Sequence, residues 1–260
     1  MLNEIEFNIE NQIATLRVNR PQARNALNWV AQEQFAEAVT AVSQNNHIRV
    51  LIITGTGSRA FVAGGDLKEL NQHPERAGGE RLNCTMRDVL TEVNNLAIPV
   101  IVAINGDAFG GGCEIITACD IRVATARAQF SFAQIRNGLT TGWGGTARLV
   151  RLIGQSRAME LLLTGRLIDV NEAKAIGLIH QIVEKDMLET AVNALANQLI
   201  QLPRDAMTAN KKLVQHAAAH SQQENHQLET ELFTTLWTHP DHLEAMRAFS
   251  EKRMPRFGTQ

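Results

Sequence analysis

The chain carries no surplus of charge: 25 Lys and Arg stand against 27 Asp and Glu, a formal net charge of −2 in 260 residues. A protein that grips phosphate backbones needs a basic excess, so nucleic acid is not an expected partner, and any anionic ligand must be met by local cations. Long apolar runs are missing too. Pro99 to Ile104 and Leu161 to Leu163 fall far short of the roughly 20 residues that a bilayer span needs, so no membrane association is expected. Cysteine is sparse, and Cys84, Cys113 and Cys119 form no CxxC or other metal spacing, which points to free thiols in a reducing compartment and to no metal. No low-complexity stretch, charge run or fixed-period repeat stands out. The opening residues carry acids, Glu4 and Glu6, where a leader peptide would carry bases, so the expected location is the cytoplasm.

What is present is a chain 44% hydrophobic and 20% charged, enough for one large globular core with an appendage. Residues 13–19 alternate as a half-buried strand, while 49–54 and 99–104 are apolar runs that fit fully buried strands. Residues 29–42 and 80–96 between them have helical spacing, the rhythm of an α/β core. After about residue 185 the periodicity is mostly helical. Three amphipathic helices are expected at 204–219, 222–237 and 240–252, punctuated by Pro203, Pro240 and Pro255. The predicted division is therefore an α/β core over 1–200 and a helical region over 201–260.

Glycine marks the chemistry. In Ala60-Phe-Val-Ala-Gly-Gly-Asp-Leu-Lys68, Gly64 and Gly65 precede a helical start with Asp66 near its cap, a turn that exposes backbone N–H groups. In Asn105-Gly-Asp-Ala-Phe-Gly-Gly-Gly-Cys-Glu114, read as following the strand at 99–104 directly, Gly110, Gly111 and Gly112 sit at a strand-to-helix junction. There the free N–H groups and the positive end of the helix dipole favour an oxyanion. Close packing of a helix end on a sheet would use the same glycines. Neither cluster is a P-loop or a complete dinucleotide fingerprint.

Together with Asn19-Arg-Pro-Gln-Ala-Arg-Asn-Ala-Leu27, Gly142-Trp-Gly-Gly-Thr-Ala-Arg-Leu149, Leu163-Thr-Gly-Arg166, Glu172-Ala-Lys-Ala-Ile-Gly-Leu178 and the ending Phe249 to Phe257, these segments resemble the enoyl-CoA hydratase/isomerase superfamily over essentially the whole chain. The resemblance implies an α/β crotonase fold of repeated ββα units, a helical C-terminal region that forms a homotrimer or a homohexamer, and acyl-CoA thioester substrates from fatty acid metabolism. It implies no cofactor other than the coenzyme A of the substrate. Gly65 and Gly111 match the two N–H donors that hold the thioester oxygen, and Glu114 matches the first catalytic glutamate. Arg24, Ala26, Ala63, Asp66 and Leu67 match the CoA side. Phe249 and Lys252 match positions that reach the CoA of the same or a neighbouring subunit, although a lone lysine on a helix is equally a solvated face.

The match breaks at one position. Where hydratases of this family carry a second glutamate this chain has Gln134, which holds a water or a carboxylate by hydrogen bonds but accepts no proton at neutral pH. Three readings stay open: a one-base hydratase, a decarboxylase of malonyl-type thioesters whose leaving carboxylate meets Gln134, Arg136 or Thr140, and an acyl-CoA-binding subunit with weak catalysis. Thr140, Thr141 and Trp143 replace the family's more usual residues, so hydroxyls and an indole either border the acyl site or fill the core. Cys113 reads as inert packing, and His180, His216, His220 and His226 show no ligand spacing.

Overall fold

The computed structural model describes residues 3–258. Strand β1 (Ile5–Glu10) alternates apolar and polar residues and pairs antiparallel with β2 (Ile13–Val18). Asn11 and Gln12 turn the hairpin at φ of 49° and 68°, the pair of left-handed residues that matches the twist of the flanking strands. Helix α1 (Trp29–Gln44) follows, capped by the Asn28 side chain, which accepts from the Ala31 N–H at 2.9 Å.

Three passes of one pattern come next. β3 (Val50–Gly55) and β4 (Ala60–Val62) lead into α2 (Leu67–Leu70) and α3 (Arg76–Asn95). β5 (Val100–Ile104) and β6 (Asp107–Phe109) lead into α4 (Gly111–Ala118), and β7 (Ile121–Thr125) and β8 (Gln129–Ser131) lead through a short turn into α5 (Gly145–Ile153). The first strand of each pass joins a six-stranded sheet in the order β1-β2-β3-β5-β7-β10, with β10 at Gln181–Val183, and the second joins a smaller sheet, β4-β6-β8-β9, with β9 at Ile168–Asp169. These are the ββα units of the crotonase fold. The chain then continues through α6 (Gln155–Thr164), β9 (Ile168–Asp169), α7 (Val170–Ala175), β10 (Gln181–Val183), α8 (Leu188–Ile200), α9 (Arg204–Ala217), α10 (Gln222–Trp237) and α11 (Pro240–Ser250).

Burial explains why β3 is apolar from Val50 to Ile53 and β5 along its whole length. All six positions of β3 are buried, because its two faces serve two cores. Leu51 and Ile53 join Phe35 and Val39 of α1 and Leu90 of α3, while Val50 and Ile52 join Leu188 and Val192 of α8. Each such aliphatic side chain taken out of water contributes about 1.5–3 kcal/mol.

Two expectations need adjustment. The glycine run 110–112 does not follow the strand at 99–104 directly: β6 intervenes, so the junction belongs to the small sheet. The helix expected from Glu80 starts at Arg76, because Gly78, normally a helix weakener, lets the first turn press on the His73 carbonyl, where a Cβ would lie only 2.4 Å from the oxygen. The C-terminal helices fall where expected, each ending at or up to two residues before its forecast limit. α9 is bolted to the core by Lys211, whose Nζ donates to Asp120 Oδ2 at 2.7 Å and to the Ile98 carbonyl at 3.0 Å. No residue of α10 is buried.

Candidate active site

Two glycine loops meet over a cleft of about 290 Å³ between α3, α4 and the 133–143 segment. The first loop is stitched to the 24–27 segment: Leu27 N–H donates to the Gly64 carbonyl at 2.8 Å, Asp66 N–H to the Leu27 carbonyl at 3.0 Å, and Ala63 N–H to the Arg24 carbonyl at 3.2 Å. Gly64 adopts φ +95°, and a Cβ there would stand 3.0 Å from the Gly111 nitrogen, so the loops touch. Gly110 precedes α4 at φ 53° and ψ −116°, a conformation open to glycine alone. Gly65 and Gly111 both line the cleft. Neither N–H finds an acceptor among the described residues, and Gly111 opens α4, where the dipole is positive.

The same glycines also serve packing. A Cβ on Gly111 would lie 2.1 Å from the Trp143 ring, and one on Gly112 would lie 1.9 Å from the Val62 carbonyl oxygen. Trp143 is 3% exposed, and it lines the cleft while filling the core against Gly111.

Glu114, 1% exposed, reaches the cleft from α4. Its Oε1 accepts from Gln134 Nε2 at 2.9 Å and Gly142 N–H at 3.1 Å, and its Oε2 from Trp143 N–H at 2.7 Å and Gly145 N–H at 2.8 Å. Burial pushes its carboxyl above the ordinary range, against the pull of these four donors. A Cβ on Gly145 would lie 2.5 Å from Glu114 Cγ, which is why the carboxylate can lie against the start of α5. Gln134 Oε1 is buried and has no partner.

Behind Glu114 stands Arg148, 9% exposed. Its Nη2 donates to the Trp143 carbonyl at 2.6 Å and its Nε to Thr117 Oγ1 at 3.2 Å, and Thr117 in turn donates to the Glu114 carbonyl at 2.8 Å. Cys113 donates to the Ala108 carbonyl at 3.0 Å, and burial pushes its thiol up to about 12, so it is an unreactive packing group.

The structure brings Gly65, Gly111, Glu114, Gln134, Trp143, Ala63 and Leu67 to one cleft, with Thr140 and Thr141 at its rim. Arg24 is exposed beside it, and Ala26 is buried. The Asp66 carboxylate is already engaged, accepting from Arg20 Nη1 at 2.9 Å and from Lys68 N–H at 3.1 Å. Arg136 does not line the cleft. Phe249 is 82% exposed, and neither it nor Lys252 reaches the cleft within one chain. His180 faces Arg122, not the cleft, accepting its N–H at 3.1 Å. Two residues were not singled out from sequence. Arg20 binds Asp66 and the Ala26 carbonyl, and Asn83 of α3 holds the Gly142 carbonyl. Both act on backbone carbonyls, for which no motif exists.

The sequence profile described as Enoyl-CoA hydratase/isomerase matches residues 8–260. The chain is similar to the Short-chain-enoyl-CoA hydratase of Clostridium acetobutylicum, 33% identical and covering 97% of this chain and 96% of that one. It is also similar to the Crotonyl-CoA hydratase of Syntrophomonas wolfei, 34% identical over 95% of each. Its fold superposes on the crystal structure of an enoyl-CoA hydratase from Bacillus anthracis with a TM-score of 0.94 and 32% identity, over 99% of this chain and 100% of that one. With two loops supplying free N–H groups to a cleft that holds a buried glutamate, the chain belongs to the enoyl-CoA hydratase/isomerase family.

Proposed function

We propose that the protein adds water to a trans-2-enoyl-CoA, forming a 3-hydroxyacyl-CoA, with Glu114 as its one acid-base group. The observation that carries this is the placement of the Glu114 carboxylate, fixed by four N–H donors, in the same cleft as the unpartnered N–H groups of Gly65 and Gly111. Those two N–H groups bind the thioester oxygen and stabilise the enolate, each contributing about 3 kcal/mol to the transition state. Glu114 takes one proton from water as its oxygen bonds to C3, then returns that proton to C2. The atoms of one water are thereby added across the double bond. Gln134 takes no proton; its amide nitrogen orients Glu114, and its free oxygen is available to accept from the attacking water.

The CoA side is assigned to Ala63 and Leu67 of the cleft and to Arg24, Ala26 and Asp66 beside it, with Asp66 acting through its backbone because its carboxylate is occupied. Phe249 and Lys252 serve a neighbouring subunit in a homotrimer or homohexamer assembled through residues 201–260. Exposed Phe233, Trp237, Leu243, Met246 and Phe249 on α10 and α11 support that assembly. No helix among the described residues is long and apolar enough to cross a membrane. On this proposal the protein works in the cytoplasm, on a diffusible thioester. Decarboxylation of a malonyl-type thioester is the alternative. The experiment is a panel of enoyl and malonyl thioesters, read by loss of enone absorbance and by carbon dioxide release: enone loss supports hydration, and carbon dioxide release replaces it with decarboxylation. Thioester binding without turnover identifies a binding subunit.

A further inference from the structure

Arg148 has no place in the reaction as derived so far. It is 9% exposed, and among the described residues no acid lies within 4.0 Å of its guanidinium. A buried cation with no acid in contact is costly and calls for a compensating role. Three features of the fold are arranged around it. Gly144, at φ +79°, leaves the space it occupies, since a Cβ there would stand 3.0 Å from Nη1. Its Nη2 holds the Trp143 carbonyl at 2.6 Å while the N–H of the same residue holds Glu114 Oε2 at 2.7 Å. Its Nε holds Thr117, which grips the Glu114 carbonyl, and Nη2 itself comes within 3.5 Å of that carbonyl.

We propose that Arg148 is a positioning residue for Glu114: its buried guanidinium supplies the positive charge that keeps the side chain a carboxylate and clamps the 142–145 loop whose N–H groups orient it. The four donors on Glu114 are uncharged, and Arg148 is the cation that holds the backbone carbonyls of Trp143 and of Glu114 itself. The other titratable group beside Glu114 is Cys113, and Arg148 faces Cys119 and Arg151. Both thiols are pushed to about 12 and stay neutral, so neither competes for the role. Burial lowers the guanidinium's own ionisation and Glu114 supports it, whereas the Glu114 carboxyl is set first by burial and by its four N–H donors, so the guanidinium acts on it from beyond contact distance and through the backbone it holds.

The inference rests on the hydration reading only for its rate arm. The test compares wild type, Arg148→Met and Arg148→Lys by melting temperature from pH 4.5 to 8 and, separately, by the pH profile of enoyl-thioester hydration. The expected result is a melting penalty for Arg148→Met that grows as pH rises, together with an acid limb of the rate profile about one pH unit higher, a tenfold change in the ionisation constant. Arg148→Lys keeps the charge and should show a constant penalty with its limb at the wild-type position. A pH-independent penalty for Arg148→Met with an unmoved limb overturns the proposal and leaves Arg148 a scaffold residue. If Arg148→Met folds at no pH, Arg148→Lys decides: folding with the wild-type limb supports the role of charge, and failure to fold contradicts it. Wild type without any hydration activity overturns the reaction, not this proposal, because the melting arm needs no turnover.

Discussion

Gln134 donates its amide hydrogen to Glu114 Oε1 at 2.9 Å, so the side chain that touches the buried carboxylate is a neutral amide. A glutamate at that distance would repel Glu114, and the two would share one proton. The amide removes that conflict and leaves one titrating group in the cleft. The consequences can be measured.

Removing the carboxylate should remove the chemistry. Glu114→Gln puts an amide NH₂ among four N–H donors and deletes the base, so hydration should fall by about 10²- to 10⁴-fold. Thioester affinity should change little, because Gly65 and Gly111 are untouched. Turnover by enone absorbance and binding by calorimetry separate the two effects; unchanged turnover would contradict the assigned role.

The pH dependence has a definite sign. Burial raises the Glu114 carboxyl in the folded state. Its contribution to stability is therefore fully present below the ordinary carboxylate value and is lost as pH rises through the raised one. The melting temperature of wild type relative to Glu114→Gln should fall across that window. The acid limb of kcat/KM should lie above the ordinary carboxylate range for the same reason. A limb at or below that range would show the four donors outweighing burial.

Gly111 and Trp143 should be coupled. Gly111→Ala drives a methyl into the Trp143 ring, 2.1 Å away, and should destabilise by about 1–3 kcal/mol while displacing an oxyanion donor. Trp143→Ala opens a cavity costing about 3–5 kcal/mol. In the double variant the methyl enters that cavity, so the losses should sum to less than the separate effects. Additive losses in chemical denaturation would mean the two residues do not press on each other.

Arg20 should act on affinity. It joins the Ala26 carbonyl and Asp66, linking the two segments proposed above to hold CoA. Arg20→Met should raise KM for acyl-CoA several-fold with kcat nearly held, since no reacting atom is touched. A fall in kcat at constant KM would refute this role.

Much of this was legible in the residues. The long apolar strands at 50–55 and 100–104, the helix spacing of 29–44 and the proline-punctuated C-terminal helices all announce themselves by period. The small sheet does not, because β4, β6 and β8 are three residues each, too short for a two-residue alternation to register. β1 carries the alternation in Ile5, Phe7 and Ile9, but only Ile5 of the three is fully buried, so its apolar face is weakly marked. The glycine loops, Glu114 and Gln134 converge as their motifs imply. Arg148 and Arg20 stayed hidden because each bonds a nearby backbone carbonyl, which no side-chain pattern marks, and a side chain brought in from a distant segment, Thr117 for Arg148 and Asp66 for Arg20. Phe249 and Lys252 lie outside the cleft of a single chain, a placement that only an assembly can change.

The central claim is that one carboxylate suffices for hydration, and it is tested most directly by following the enone absorbance of crotonyl-CoA with wild type beside Gln134→Glu. The account predicts that wild type consumes the enone, and that Glu114→Gln abolishes this. Hydration that appears only in Gln134→Glu, with wild type releasing carbon dioxide from malonyl, methylmalonyl or ethylmalonyl thioesters instead, would contradict it.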